Sequence, residues 1–294
     1  MAPLLVIEDP ELDAAILEAW AAPNGFHWLR ASNPSSALQR LEQESCALVL
    51  AGPKATSNGT PGFLAQVRQQ YPQVPVVVLT GDEPDATIQD ALRTGIAGCL
   101  PRQNISSDLA RTLQILLNPA TNDGNCIRVC YTLDNRPELL PLVVARMRNL
   151  LDDWPFTDAN EPVRVTVALS EALDNALYHG NLELDSALRQ GDGSAWREEG
   201  QRRRALPPYR HRKIRFRASI AQDAATFTVS DEGPGFNRSL QIDCTDPENL
   251  ERCSGRGLML MRMYMDEVTF NPLGNEVTLL KRRPAGAIRA AGKQ

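Results

Sequence analysis

The sequence predicts an α/β protein in two parts, a doubly wound parallel sheet followed by an α+β sandwich. Three observations predict it. Up to residue 117, five strand-like runs alternate with five helix-like runs, the signature of parallel strands joined by crossover helices. The stretch "NPATNDGN" (118–125) then breaks the pattern with residues that favour turns. Beyond it, long helical runs come first and strands with period-two alternation follow, so helices and antiparallel strands are segregated.

Each element has its own local cause. In the first half, "PLLVIED", "HWLRAS", "CALVLAGP", "VPVVVLTGD" and "AGCLPR" read as strands. They are short, rich in branched apolar residues and bounded by turn formers. Between and after them, "PELDAAILEAWAAP", "PSSALQRLEQE", "TPGFLAQVRQQYP", "DATIQDALRTG" and "SSDLARTLQILL" carry apolar residues three or four apart, as helices do. The second half opens with a strand, "CIRVCYTL", then two helices, "RPELLPLVVARMRNLLDDW" and "EPVRVTVALSEALDNALYHGN". Residues 184–212 are polar, with "GDGS", "RRR" and "PPY", and are predicted to form a long solvated loop with basic stretches. Strands "KIRFRASI" and "ATFTVSD" alternate apolar and polar side chains, as a sheet with one covered face requires. An irregular stretch (237–254), a helix "GLMLMRMYM" and strands "EVTFN" and "NEVTLLKR" complete the pattern. The predicted division is 1–118, a linker 119–125, a second domain 126–283 and a flexible tail 284–294.

Composition narrows the function. Of 294 residues, 43% are hydrophobic and 23% charged, which fits a globular protein. The net charge of −5 argues against a dedicated nucleic-acid binder. No run approaches the ~20 apolar residues of a membrane helix, and "MAPLLVIEDPELD" is too short and acidic for a signal peptide. The expectation is a cytoplasmic protein without membrane contact. The six cysteines form no Cys-x-x-Cys pair and there are three scattered histidines, so no structural zinc site is expected. Cys46, Cys99, Cys126 and Cys130 read as reduced core thiols.

Three boxes in the second half carry chemistry. Glu171, Asn175 and His179 stand at i, i+4 and i+8, which stacks them on one helix face. An amide oxygen suits Mg²⁺ shared with phosphates, and a carboxylate one turn earlier can take a proton from a hydroxyl. In "SDEGPGF", Asp231 continues the covered face of the strand through Val229 and Phe227. Its acceptor-only carboxylate suits the amino group of adenine and not the oxygen of guanine. Gly233 and Gly235 remove side chains where backbone would approach a flat base, and Pro234 stiffens the turn between them. In "SGRGLMLM", Gly255, Arg256 and Gly257 open a helix whose free N–H groups suit phosphate; neither a Walker loop nor a dinucleotide fingerprint is present. Taken singly, each box is more often a solvated helix face, a tight turn or a glycine-rich helix start.

Taken together and in this order, the boxes resemble the GHKL ATPase superfamily over about residues 125–283, most closely the bacterial anti-sigma-factor serine/threonine kinases. The resemblance implies ATP and Mg²⁺, with Asn175 chelating Mg²⁺ and Glu171 as the general base. It implies that Asp231 binds the adenine amino group with Gly233 and Gly235 beside it, that Gly255, Arg256 and Gly257 border the triphosphate, and that 237–254 is a lid. The family often has Gly-Thr before the last strand. Here Gly274-Asn275 stands there, with Asn275 able to hydrogen-bond in the threonine's place and Thr278 three residues later as the candidate hydroxyl; against the family pattern, residues 184–212 are a long insertion.

The first half resembles the flavodoxin-like receiver domains of bacterial response regulators over about residues 3–117. Glu8 and Asp9 match the acidic pair, Thr80 the hydroxyl position, and Arg102 stands where that family has lysine. Gly52 stands where the phosphoaccepting aspartate belongs, and no carboxylate lies within three residues of it. Glycine has nothing to phosphorylate and arginine does not replace a compact lysine, so the first half is expected to be a degenerate receiver.

Two functions follow from the resemblance. One is an ATP-dependent protein serine/threonine kinase acting on an anti-sigma-factor antagonist. The other is a non-catalytic module that uses ATP as a conformational ligand and sequesters a sigma factor or another regulator. A homodimer is a further expectation of the family.

Overall fold

Apolar runs too short for helices set the first unit. The computed structural model describes residues 3–7, 14–52, 61–81, 86–117, 126–152, 154, 156, 158–185, 188, 193–236 and 256–283. Strands β1 (Leu4–Ile7), β2 (Trp28–Ala31), β3 (Leu48–Ala51), β4 (Val76–Thr80) and β5 (Gly98–Pro101) alternate with helices α1 (Ala14–Ala21), α2 (Pro34–Gln43), α3 (Pro61–Gln70), α4 (Ala86–Thr94) and α5 (Ile105–Leu117). The strands pair in parallel in the order β2-β1-β3-β4-β5, the flavodoxin-like doubly wound arrangement. β1, β3 and β5 are buried along their whole length, which is why they read as unbroken apolar runs. Leu4, Leu48, Leu50, Val77, Leu79 and Leu100 pack with Leu109 and Leu113 of α5. α2 starts where it does because Asn33 and Ser36 form a reciprocal capping box: the Ser36 N–H donates to Asn33 Oδ1 at 2.9 Å.

The boundary between the halves differs from the prediction. Strand β6 (Ile127–Leu133) was expected to open the second domain, yet residues 128–132 belong to the first compact unit, which otherwise comprises 1–122. β6 extends the parallel sheet beside β5, with Gly98 opposite Cys130 and the Cys130 N–H donating to the Ala97 carbonyl at 2.8 Å. The buried Tyr131 donates its hydroxyl to the Ile96 carbonyl at 2.9 Å. The physical reason is visible in the strand: its last five residues are all buried, a pattern suited to a covered parallel sheet and not to a half-open one. The predicted linker 119–125 and tail 284–294 lie outside the described residues.

The second unit is a helix layer on an antiparallel sheet. Strands β7 (Ile214–Ile220), β8 (Ala224–Ser230), β9 (Glu267–Phe270) and β10 (Glu276–Arg282) pair antiparallel in the order β7-β8-β10-β9. Phe216, Val229 and Val277 are aligned across three strands on the buried face, as are Ala218, Phe227 and Leu279. Helices α6 (Leu140–Leu151), α7 (Glu161–Asp174) and α9 (Arg256–Tyr264) pack together over that face. The Lys281 Nζ of β10 reaches Glu161 Oε1 at the start of α7 at 3.1 Å, with both side chains largely buried. The first predicted helix of this half is divided: a 3₁₀ turn (Pro137–Leu139) precedes α6.

Among the described residues of 184–212, the structure departs from the solvated loop that their polarity predicts. Helix α8 (Ser194–Arg204) and a 3₁₀ turn (Tyr209–His211) occupy much of this stretch. Trp196 anchors α8, 7% exposed, with its ring against Tyr178 and His179. One buried aromatic among many charges is too weak a periodic signal to read from sequence. Among the described residues no helix is long and apolar enough to cross a membrane.

Candidate nucleotide site

The three boxes converge on one cavity of about 260 Å³ in the second unit. Helix α7 forms one wall. Val165, Ala168, Leu169, Ala172 and Leu173 are buried, and Ala172 also faces the cavity. After Asp174 the helix widens into a π-turn (Asn175–Asn181), in which the Leu182 N–H donates to the Leu177 carbonyl at 2.9 Å. Such local widening often marks functional sites. Here Ala172, Asn175, Ala176, His179 and Gly180 all line the cavity.

Asp231, immediately after β8, enters from the opposite wall. Gly180 gives it room: a Cβ at 180 would overlap the Asp231 carboxylate, and a Cβ at 233 would overlap the Gly180 carbonyl. Burial pushes the Asp231 carboxyl up to about 6, against the Gly233 N–H, which donates to Oδ1 at 2.8 Å, and the positive charge of Arg212; Glu232 pushes it further up. A half-desolvated acceptor of this kind gains from a donor placed against it.

The floor comes from two interlocked turns. Gly235 (φ 76°) lies against the Leu273 carbonyl, and Gly274 (φ 79°) against the backbone of Phe236. Both positions need a left-handed backbone, which glycine adopts without strain. Asn271 Oδ1 accepts the N–H groups of Gly274, Asn275 and Glu276 at 2.8, 3.1 and 3.2 Å and so shapes the second turn. Phe236 and Phe270 meet edge to face and supply apolar lining with Val229, Met261 and Val277.

The α9 end brings the third box to the first. A Cβ at Gly257 would sit 2.6 Å from Glu171 Oε2 and 3.5 Å from Asn175 Nδ2. Arg256 is the exposed first residue of α9, while Gly255 and the proposed lid lie outside the described residues. Asn175, Asp231 and Gly235 therefore line one cavity, with Glu171, Gly233 and Gly257 at its edges.

Thr278 does not join them. It stands opposite Thr228 in the ladder, with the two hydroxyls 3.3 Å apart, while its neighbours Glu276 and Val277 line the cavity. Val277 and Leu279 take the helix-covered face, so strand alternation turns Thr278 to the other side. Asn275 lines the cavity, but its amide is engaged: Oδ1 accepts from Asn271 Nδ2 at 2.8 Å and Nδ2 donates to the Asp231 carbonyl at 3.3 Å. It shapes the aspartate turn from behind.

Residues missed in the sequence complete the site. Asn181, fully buried, accepts the Glu232 N–H at 2.8 Å and donates to Asn135 Oδ1 at 2.7 Å. An asparagine after His-Gly reads as a helix end, and nothing local signals that it reaches across to the loop after β8. His179 is held with Nδ1–H donating to the Leu184 carbonyl at 2.8 Å.

The residues can hold what the boxes suggest. Asp231 offers an acceptor beside an apolar slot for a base, Asn175 a neutral oxygen near Glu171, and the first turn of α9 N–H groups that lack intrahelical acceptors and so suit phosphate. The volume of about 260 Å³ lies just below the range of about 300–1,000 Å³ for ligand pockets.

In the first unit, the carboxyl ends of β1, β3 and β4 lie side by side, where ligands bind in such sheets. Gly52, buried, follows β3; Thr80 ends β4; Arg102 opens a 3₁₀ turn (Arg102–Asn104) after β5. Glu8 and Asp9 lie outside the described residues. Cys46, Cys99 and Cys130 are buried, whereas Cys126 is partly exposed, its sulfur 3.3 Å from Ser219 Oγ.

Comparison with known proteins addresses each half. Residues 133–281 match the family model described as the histidine kinase-like ATPase domain. No curated protein matches the chain. Solved structures similar to it include the signal receiver domain of an HD domain-containing protein from Pseudomonas fluorescens Pf-5, at 23% identity over 40% of this chain and 87% of that one, TM-score 0.35. A response regulator receiver domain protein from Clostridium thermocellum is 19% identical over 41% and 97%, TM-score 0.35. A two-component response regulator from Clostridium difficile is 16% identical over 42% and 100%, TM-score 0.37.

Proposed function

The chain belongs to the histidine kinase-like ATPase domain family over residues 133–281, and from that premise we propose that it is an ATP-dependent protein serine/threonine kinase of the anti-sigma-factor type. One observation carries the reading: Asn175 and Asp231, distant in sequence, line the same cavity, with Glu171 at its edge against Gly257. Asp231 accepts the adenine amino group. Gly233 and Gly235 let the backbone approach the ring. Asn175 holds Mg²⁺, which when bound would neutralise charge on the phosphates. The start of α9 holds the γ-phosphate in line. Glu171 takes the proton of a partner Ser or Thr hydroxyl as its oxygen bonds the γ-phosphorus; the bond to the bridging oxygen breaks and ADP leaves. The substrate in this reading is an anti-sigma-factor antagonist, and the first unit is a docking or dimerising module that carries no phosphate.

The test is transfer of labelled γ-phosphate to the partner by the wild type and by Glu171→Gln. The expected result is ATP binding retained in the variant and transfer reduced at least ~100-fold. Equal transfer by both would remove Glu171 as base. Binding of ATP without transfer by either would favour the second function, a module that sequesters a sigma factor or another regulator.

A further inference from the structure

Residues of the 184–212 insertion do more than cover the helix end; they are wired to the turn that carries Asp231. Asn181 is the junction. Its side chain is fully buried, accepts the Glu232 N–H at 2.8 Å and donates to Asn135 Oδ1 at 2.7 Å. Asn135 in turn donates to the Tyr209 carbonyl at 2.7 Å. The Tyr209 ring lies under two guanidiniums, Arg203 at 5.4 Å and Arg212 at 5.2 Å. Both arginines return to the end of the π-turn. Arg212 donates to the Asn181 carbonyl at 2.8 Å and pairs with Glu183 at 2.6 Å, and Arg203 donates to the carbonyls of Leu182 and Glu183 at 2.8 and 2.7 Å. The circuit closes on itself.

We propose that Asn181 is a positioning residue for base recognition, held by the insertion through Arg212, Tyr209 and Asn135, and that it determines selectivity for a 6-amino purine by holding the Asp231–Gly233 turn. The inference rests on the reading of Asp231 as the adenine acceptor. The Glu232 N–H is the backbone group next to Asp231. Holding it from a buried side chain aims the carboxylate without touching the ligand. A buried amide held through both its oxygen and its nitrogen rigidifies its surroundings. Asn275 holds the backbone of Asp231 itself and Asn181 the next peptide N–H; without Asn181 that N–H loses its acceptor, and a misplaced carboxylate no longer distinguishes a donor from an acceptor on the ring.

The probes are ATP and ITP, which carries an oxygen in place of the amino group, titrated calorimetrically against the full chain. The wild type is expected to prefer ATP. Asn181→Ala is expected to lower the ATP/ITP affinity ratio about tenfold, the value of one buried polar contact. A merely structural role would lower the melting temperature and leave the ratio of the folded protein unchanged, and that outcome overturns the inference. If Asn181→Ala does not fold, Arg212→Gln loosens the same circuit at a partly exposed side chain and should lower the ratio about threefold; a folded Arg212→Gln with the wild-type ratio also overturns it. A wild type with no preference for ATP, unaffected by Asp231→Asn, overturns the base-reading role of Asp231 and this inference with it. A wild type with the preference, lost in Asp231→Asn but kept in Asn181→Ala, overturns this inference alone.

Discussion

Gly180 and Asp231 pack so closely that a single methyl group at position 180 would overlap the carboxylate. The helix that carries Asn175 and the loop that carries Asp231 therefore meet through a glycine, and the cavity between them exists only while that position stays bare. Gly180→Ala should displace the carboxylate, weaken ATP binding at least ~10-fold, and destabilise the protein by about 1–3 kcal/mol, as overpacking does. Calorimetric titration and thermal unfolding measure the two effects.

Asp231 gives the nucleotide-free protein a pH dependence of unusual sign. Its carboxyl is raised by burial from its ordinary value to about 6 in the fold, with Arg212 opposing and Glu232 adding. Between about pH 4 and pH 6 the folded state binds more protons than the unfolded one, so this group's contribution makes stability fall as pH rises. The cost is fully present above about 6. Asp231→Asn should remove it, stabilising the free protein at pH 8 by about 2 kcal/mol while abolishing selective ATP binding. Wild-type binding should strengthen as pH rises through about 6. Denaturant unfolding and titrations at pH 5 and 8 check both; an Asn variant no more stable at pH 8 than the wild type would contradict the first.

Thr278 and Val277 make a matched pair, one on each face of β10. Thr278→Val should change ATP affinity less than about twofold, whereas Val277→Asp, which puts a charge into the cavity wall, should abolish binding.

Gly257 separates α9 from the Glu171 carboxylate by less than a side chain. Gly257→Ala is expected to turn that carboxylate aside and lower the rate of phosphate transfer at least ~10-fold, with a much smaller effect on ATP affinity. Steady-state kinetics with a phosphoacceptor partner separates the two.

Trp196 is the buried anchor of α8. Trp196→Ala should cost about 3–5 kcal/mol and expose residues 184–212 to limited proteolysis. If this stretch were the solvated loop that its composition suggests, the substitution would be nearly silent.

The sequence by itself determined the architecture of each half and the chemistry of the three boxes. Short runs rich in branched apolar residues, bounded by turn formers and alternating with helical periods, read as strands, and Glu171, Asn175 and His179 share a helix face by spacing alone. Period-two alternation likewise assigned Asp231 to the covered side of its strand. What only the tertiary structure decided were matters of distant partners. The six-strand extent of the first sheet depends on β6 finding β5. The placement of α8 depends on one tryptophan finding the π-turn after α7. The role of Asn181 depends on a backbone N–H fifty-one residues away. Thr278 shows the reverse limit, since a motif offset counted along the chain gave way to the pleat of the strand. Local patterns record what each segment does for itself, in burial period and turn chemistry. A hydrogen bond between segments leaves no mark on either one, because the same polar side chain would be equally content in water.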